Sequence, residues 1–232
     1  MTLSTIAIAL LLGLAPSTQS TSEPPKPAKV ERIGAPYLLD VCVVSGEKLP
    51  AGGGEVMIMD GETDPSQKGR EVRFCCKRCM GAFSKDPARF VPKIDELIIA
   101  DQLPRYPTTA TCSVMPGEAL PDPKGPDARD CKLVVTHNRL VRLCCGKCVR
   151  HFRKDPAKYI AILDASVIAE AKAAGTIKTC AVNGRPLHDR SYWFVLGDRA
   201  LGTCCRGCEP KAMADPRGTL ARLDASISKP KS

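Results

Sequence analysis

The sequence predicts a small α+β protein of three tandem modules, each built from a cysteine-containing turn, a β-hairpin and short helices. Two observations support this prediction. A pattern of cysteines, turn residues and an Asp-Pro pair occurs three times, and its leading cysteines, Cys42, Cys112 and Cys180, are 70 and 68 residues apart. Only 4% of the residues are aromatic, and a core so poor in large side chains usually needs disulfides or metals for stability.

The chain divides into five predicted segments. Residues 1–20 lack charged side chains and contain an apolar stretch from Ile6 to Ala15, which is typical of a secretory signal peptide. This stretch is short for a bilayer, so we expect export to a periplasm or beyond without a membrane span after cleavage; an uncleaved anchor is the alternative. Residues 21–36 are rich in Pro and Lys and predict an extended linker. The three modules then occupy residues 37–104, 105–175 and 176–227.

Two β-prone runs joined by turn residues follow each leading cysteine and predict a hairpin. In the first two modules these runs are Glu55–Asp60 with Glu71–Cys75 and Lys132–Thr136 with Leu140–Cys144. The third module bends at Gly197-Asp198 and is shorter between its leading cysteine and its paired cysteines. We therefore expect a tighter hairpin in the third module.

Two short helices are predicted after each hairpin. The Cys-Cys-x-x-Cys run opens the first helix, and an Asp-Pro pair begins the second, because Asp is a favoured N-cap and Pro a favoured first helical residue. These pairs are Asp86-Pro87, Asp155-Pro156 and Asp215-Pro216. In the second module the helix should end at Gly175. We expect the second helices to pack the modules together or to link them.

The cysteine spacing predicts a metal site in each module. If Cys75 ends a strand and Cys79 lies in the first turn of a helix, their sulfurs converge at a helix N-terminus, which favours the thiolate that metals bind. Cys42 folds back on the opening turn to supply a third sulfur. The equivalent sets are Cys112, Cys144 and Cys148 in the second module and Cys180, Cys204 and Cys208 in the third. Three thiolates suit Zn(II) with one further ligand, or trigonal Cu(I).

These motifs resemble the TRASH/YHS family of heavy-metal-associated modules. The matching residues of the first module are Cys42, Gly46, Phe74, Cys75, Cys79, Phe83, Asp86, Pro87 and Phe90. The resemblance implies a treble-clef-like fold and a role in metal sensing, trafficking or resistance. Related fingers often carry a second cysteine three residues after the first, where this chain has Ser45, Met115 and Asn183. The fourth ligand is therefore open, and Cys76, Cys145 and Cys205 are the candidates.

The favoured interpretation is an exported, non-catalytic protein that binds Zn(II) or Cu(I) and buffers the ion or hands it to a metal-transport or envelope protein. Its 34 Lys and Arg against 25 Asp and Glu are scattered with few aromatics, so we expect no nucleic-acid partner. A structural zinc-finger or disulfide-stabilised interaction module is the main alternative, since clustered cysteines pair in oxidising compartments. Thiol–disulfide exchange through the three Cys-x-x-Cys runs is the lesser alternative.

Overall fold

The computed structural model describes residues 30–227, so the predicted signal peptide and most of the predicted linker lie outside the described residues. Each of the three modules contains one antiparallel hairpin followed by two helices. The first module has β1 Glu55–Ile58, β2 Glu71–Phe74, α1 Lys77–Lys85 and α2 Pro87–Gln102. The second has β3 Lys132–Thr136, β4 Arg139–Leu143, α3 Gly146–Phe152 and α4 Pro156–Ala174. The third has β5 Tyr192–Leu196, β6 Arg199–Thr203, α5 Cys208–Ala214 and α6 Pro216–Ile227.

The hairpins confirm the predicted strands but correct one expectation about their turns. Two residues separate the strands of the second and third hairpins, whereas the first hairpin has a longer loop that contains a 3-10 turn at Pro65–Gln67. The third hairpin is therefore tighter than the first but not tighter than the second. The expectation was wrong because the third module is shortened between Cys180 and β5, ahead of the hairpin.

The Asp-Pro pairs begin the second helices, as predicted. The Asp86 carboxylate accepts a hydrogen bond from the backbone N–H of Arg89 at 3.3 Å, and Asp155 caps α4 in the same way. α4 ends at Gly175, whose φ of 59° lies in the left-handed region that glycine adopts without strain. Local capping chemistry therefore fixes where these helices start and stop.

The modules pack against one another through their second helices. α2 contacts the hairpin of the second module, and α4 contacts the hairpin of the third. Leu140 of the second module is buried in the core cluster of the first, and Ala200 of the third is buried in that of the second. The three small cores are therefore joined side by side.

An arginine–aspartate ion pair recurs at the same place in every module. The arginine is the residue five positions before the first of the paired cysteines, and the aspartate lies 25 residues further on, in the second helix. The pairs are Arg70–Asp95 at 2.7 Å, Arg139–Asp164 at 3.0 Å and Arg199–Asp224. This pair was not predicted from the sequence.

The described end of the predicted linker is hydrogen-bonded to two modules. The backbone N–H of Ile33 donates to the Gly69 carbonyl at 2.8 Å, and that of Ala35 donates to the His137 carbonyl at 3.1 Å. Residues 33–35 thus lie across the junction of the first and second modules. Among the helices within residues 30–227, none combines the length and the apolar character that crossing a membrane requires.

Candidate metal centres

The structure brings the nine predicted ligand cysteines together in three separate clusters. Within each cluster, all three sulfurs lie within 4.8 Å of one another. The clusters are Cys42, Cys75 and Cys79; Cys112, Cys144 and Cys148; and Cys180, Cys204 and Cys208. The first and third cysteines of each cluster are buried and the second is half-buried, so every cluster sits at the surface of its module.

A tight turn positions the leading cysteine. The backbone N–H of Gly46 donates to the Cys42 carbonyl at 2.8 Å, and the N–H of Cys42 donates to the Glu47 carbonyl. Gly46 has a φ of 75°, a conformation that favours glycine, and Gly184 repeats it with a φ of 72°. The glycine after the leading cysteine is therefore a requirement of the turn that faces the sulfur toward the hairpin.

The other two sulfurs come from the junction of the hairpin and the first helix. Cys75 directly follows β2, and Cys79 lies in the first turn of α1, with 3.6 Å between their sulfurs. The equivalent distances are 3.6 Å for Cys144–Cys148 and 3.7 Å for Cys204–Cys208. Two thiolates bound to a tetrahedral Zn(II) at about 2.3 Å lie about 3.8 Å apart. The sulfur spacing is therefore that of a metal–thiolate centre.

Backbone amides favour the ionised form of the leading cysteine. Burial opposes ionisation of Cys42, but hydrogen bonds from the backbone N–H groups of Ser45, Cys75 and Val44 and from the Ser45 hydroxyl outweigh it and lower its pKa to about 7. The pKa of Cys112 is lowered in the same manner, with burial opposed by amides that include that of Cys144. In the first two modules the leading sulfur therefore favours the thiolate form that binds a cation.

The last cysteine of each cluster has the opposite tendency. Burial, together with the neighbouring sulfurs, raises the pKa of Cys79 and of Cys208 to about 12, and the same causes raise the pKa of Cys148. A cation among the three sulfurs would displace these protons, because thiolates rather than thiols bind metals. Each cluster therefore couples metal binding to proton release.

The candidate fourth ligands lie beside the clusters but outside the groups of three. They are the second cysteine of each Cys-Cys-x-x-Cys run: Cys76, Cys145 and Cys205. The sulfur of Cys76 is 3.9 Å from that of Cys75, and the sulfur of Cys145 is 3.6 Å from that of Cys148. Cys76 is exposed at the N-cap of α1, where the backbone N–H of Cys79 lowers its pKa. β2 ends at Phe74, so the alternation of side chains along a strand does not force the sulfurs of Cys75 and Cys76 to opposite faces. Cys205 occupies the corresponding place in the third module, 3.9 Å from Cys208.

Two residues that stand where TRASH/YHS modules often carry a second cysteine contact a sulfur of their cluster. The Ser45 hydroxyl lies 3.4 Å from the Cys75 sulfur, and the Asn183 side-chain amide donates to the Cys204 sulfur at 3.3 Å. Met115, at the corresponding place in the second module, is 49% exposed. In the sequence these positions were notable only because they lack the cysteine of the resembling modules. In the structure, those of the first and third modules place a polar side chain against a cluster sulfur.

The remaining candidate donors lie apart from the clusters. All thirteen cysteines lie within the described residues and are free, and Cys131 is half-buried outside the three groups. His137 contacts the Lys68 carbonyl through Nε2 at 2.9 Å, which holds the second hairpin turn against the first module. Within residues 30–227, no histidine joins a group of three clustered sulfurs.

Comparison of the chain with protein-family models, with curated proteins and with solved structures found no match. The class of protein therefore rests on the geometry above. The chain is a repeated, cysteine-rich α+β protein with three clusters that could each hold a metal ion.

Proposed function

We propose that this chain is an exported protein that holds one Zn(II) or Cu(I) ion in each module and buffers the ion or passes it to a metal-transport or envelope protein. The observation that carries the proposal is the threefold recurrence of three sulfurs within 4.8 Å of one another. Both metals suit the donor set, because three thiolates form a trigonal Cu(I) site or three corners of a Zn(II) tetrahedron. The resemblance to TRASH/YHS modules supports the same role.

The accessibility of the clusters favours a carrier over a purely structural site. In the first module Cys75 is half-buried and Cys76 is exposed, so an incoming ligand can reach the ion from the solvent side. Cys76 lies close enough to join or leave the coordination as the ion is exchanged. Stepwise exchange between neighbouring thiolates would let an ion transfer without first becoming free.

The modules also have apolar cores of their own. The cluster of the first module includes Phe74, Phe83 and Ile94, and its rings Phe74 and Phe83 lie 5.2 Å apart between centroids. Such packing stabilises the fold without metal, whereas classical structural zinc fingers unfold when the ion is removed. We therefore expect the ion to be labile while the chain stays folded.

The test is competition with a chelator while the fold is monitored. The protein is loaded with Zn(II) or Cu(I), and release of the ion to a metal-specific chromophoric chelator is followed beside far-UV circular dichroism. A carrier releases its ions with the dichroism retained. Loss of secondary structure in step with metal release would instead identify a structural zinc-finger module.

Two thiol-based alternatives are tested by thiol counting and by an insulin-reduction assay, respectively. A disulfide-stabilised interaction module would yield few free thiols and no metal when purified from the exported fraction. A thiol–disulfide exchange protein would reduce an insulin disulfide through the Cys-x-x-Cys pairs, and we expect no such activity from the metal-loaded chain. Cys76, whose pKa is lowered first of all by the Cys79 amide, is the sulfur that such an activity would use.

A further inference from the structure

The second helix of the first module is a docking surface for the next hairpin. α2 packs against β3 and β4, and the outer face of that hairpin contributes Leu133, Val135 and Leu140 to the core of the first module. These residues are the second and fourth of the first strand and the second of the second strand. Their burial shows that this face of the hairpin is the one that packs on α2.

The second interface repeats this pattern. α4 packs against β5 and β6, and Trp193, Val195 and Ala200 pack against the core of the second module. They occupy the same positions of their strands as the three residues of the second hairpin. Two interfaces built from different side chains therefore share one geometry.

The arginine of the recurring ion pair donates a hydrogen bond to the two-residue turn of the docked hairpin. Nε of the fully buried Arg70 donates to the Asn138 side-chain oxygen at 2.9 Å, and Nη1 of Arg139 donates to the Gly197 carbonyl. Asn138 and Gly197 both belong to two-residue turns. A docked hairpin thus needs a short turn with an oxygen directed at the arginine.

The third module has the same surface without the hairpin. We define the terminal face as Arg199, Asp224 and Ile227, which correspond in sequence position to Arg70, Asp95 and Ile98 of the first module and to Arg139, Asp164 and Val167 of the second. Ile227 is 39% exposed, whereas its equivalents Ile98 and Val167 are 2% and 8% exposed. The Arg199 side chain is 25% exposed, against 0% for Arg70 and 5% for Arg139. Within the described residues, nothing occupies the place of a fourth hairpin.

We propose that the terminal face docks a β-hairpin of a partner protein. The hairpin would carry apolar residues at the second and fourth positions of its first strand. It would also have a two-residue turn with an oxygen that accepts a hydrogen bond from Arg199. The two interfaces within the chain supply this description, because each shows the complete arrangement that the terminal face lacks.

A second copy of the chain is a poor occupant. In the one described hairpin not already docked, β1–β2, Glu71 stands where Leu140 and Ala200 stand in the others, and it is ion-paired with Arg32 and Arg73. The long loop of this hairpin also replaces the two-residue turn. Docking it would place a charged cluster against Ile227, which costs desolvation energy.

The terminal face lies on the helix that supports the third metal centre. Arg222 of α6 donates from Nε to the Ala181 carbonyl at 3.3 Å, one residue from Cys180. The docking itself is independent of metal binding and can be tested separately.

The test uses the full chain and a labelled hairpin peptide with the sequence of Tyr192–Thr203, closed by backbone cyclisation so that it cannot exchange with thiols. We expect saturable binding of one peptide per chain in fluorescence anisotropy, and slower hydrogen exchange in α6 of the wild-type chain. Ile227→Asp should weaken binding by about tenfold or more. Ile162→Asp is the matched control, since Ile162 is a 36%-exposed isoleucine of α4, and it should leave binding unchanged.

Four results would overturn the proposal. The first is the absence of binding up to about 1 mM peptide. The second is an equal loss of binding in the two variants, and the third is equal binding of a peptide with Thr in place of Trp193 and Val195. The fourth is self-association of the wild-type chain in sedimentation that Ile227→Asp abolishes, which would identify a second copy as the occupant.

Discussion

The cysteines of one cluster differ in how readily they ionise. Backbone amides overcome the effect of burial and lower the pKa of Cys42 to about 7, whereas burial and neighbouring sulfurs raise that of Cys79 to about 12. The pKa of Cys75 is also raised. At pH 7 Cys42 is therefore about half ionised while Cys75 and Cys79 keep their protons, and a metal bound by all three sulfurs must displace the remaining protons.

This difference predicts how metal affinity depends on pH. Near pH 8, Cys42 is already ionised, so binding one ion releases about two protons, from Cys75 and Cys79. Below pH 7, Cys42 is protonated as well and releases a third. Affinity should therefore rise with pH, by about two log units per pH unit near pH 8. Calorimetry in buffers of different ionisation enthalpy measures the released protons, and a buffer-independent enthalpy would contradict the prediction.

A single serine substitution should remove one ion from the chain. In Cys79→Ser the first cluster loses the sulfur 3.6 Å from Cys75, so two ions should remain per chain instead of three. Cys131→Ser is the control, because Cys131 lies outside every cluster and its loss should leave three ions bound. Native mass spectrometry counts the ions. Three ions in the Cys79 variant would show that the first cluster can bind its ion without this sulfur.

At the scale of elements, breaking the recurring ion pair should lower the free energy of unfolding by different amounts in different modules. Asp95→Asn leaves the fully buried Arg70 guanidinium without its counter-charge, which should lower the free energy of unfolding by about 3 kcal/mol. Asp224→Asn alters a pair whose aspartate is 55% exposed, and it should cost less than about 1 kcal/mol. Urea unfolding measures both. Equal losses would show that burial does not set the strength of this pair.

The elements were largely predictable from local chemistry. Hairpins followed from β-prone runs, and helix starts from Asp86-Pro87 and its equivalents, because capping and turn formation involve residues close in sequence. The convergence of Cys75 and Cys79 was predictable for the same reason, whereas Cys42 lies far earlier in the sequence and its place in the cluster was inferred from the repeat. The Arg70–Asp95 pair was not found, although its 25-residue spacing recurs in the sequence, because an ion pair between a strand and a later helix depends on tertiary packing.

The way in which one module packs on the next could also not be predicted from the sequence. We expected the second helices to pack or link the modules, but the outward faces of β3 and β5 gave no indication of their partner. Leu133 and Trp193 share no side-chain chemistry beyond being apolar, so only the structure shows that they fill the same place. The hydroxyl of Ser45 beside the Cys75 sulfur was likewise visible only in three dimensions.

For the whole molecule, the joined cores predict that modules support one another. Leu140 of the second module is 1% exposed within the core of the first, so Leu140→Ala should cost about 2–5 kcal/mol. Because Leu140 contributes no sulfur, the variant should still bind three ions. Thermal unfolding combined with metal analysis checks both expectations. A cost below about 1 kcal/mol would mean that the modules are stable independently.

The central claim is that the three sulfur clusters hold metal ions. The most direct measurement is metal content together with thiol counting on protein purified from the exported fraction. The account predicts close to three ions of Zn(II) or Cu(I) per chain, with most of the thirteen thiols free once the metal is chelated. Metal-free protein with nearly all cysteines in disulfides would contradict it.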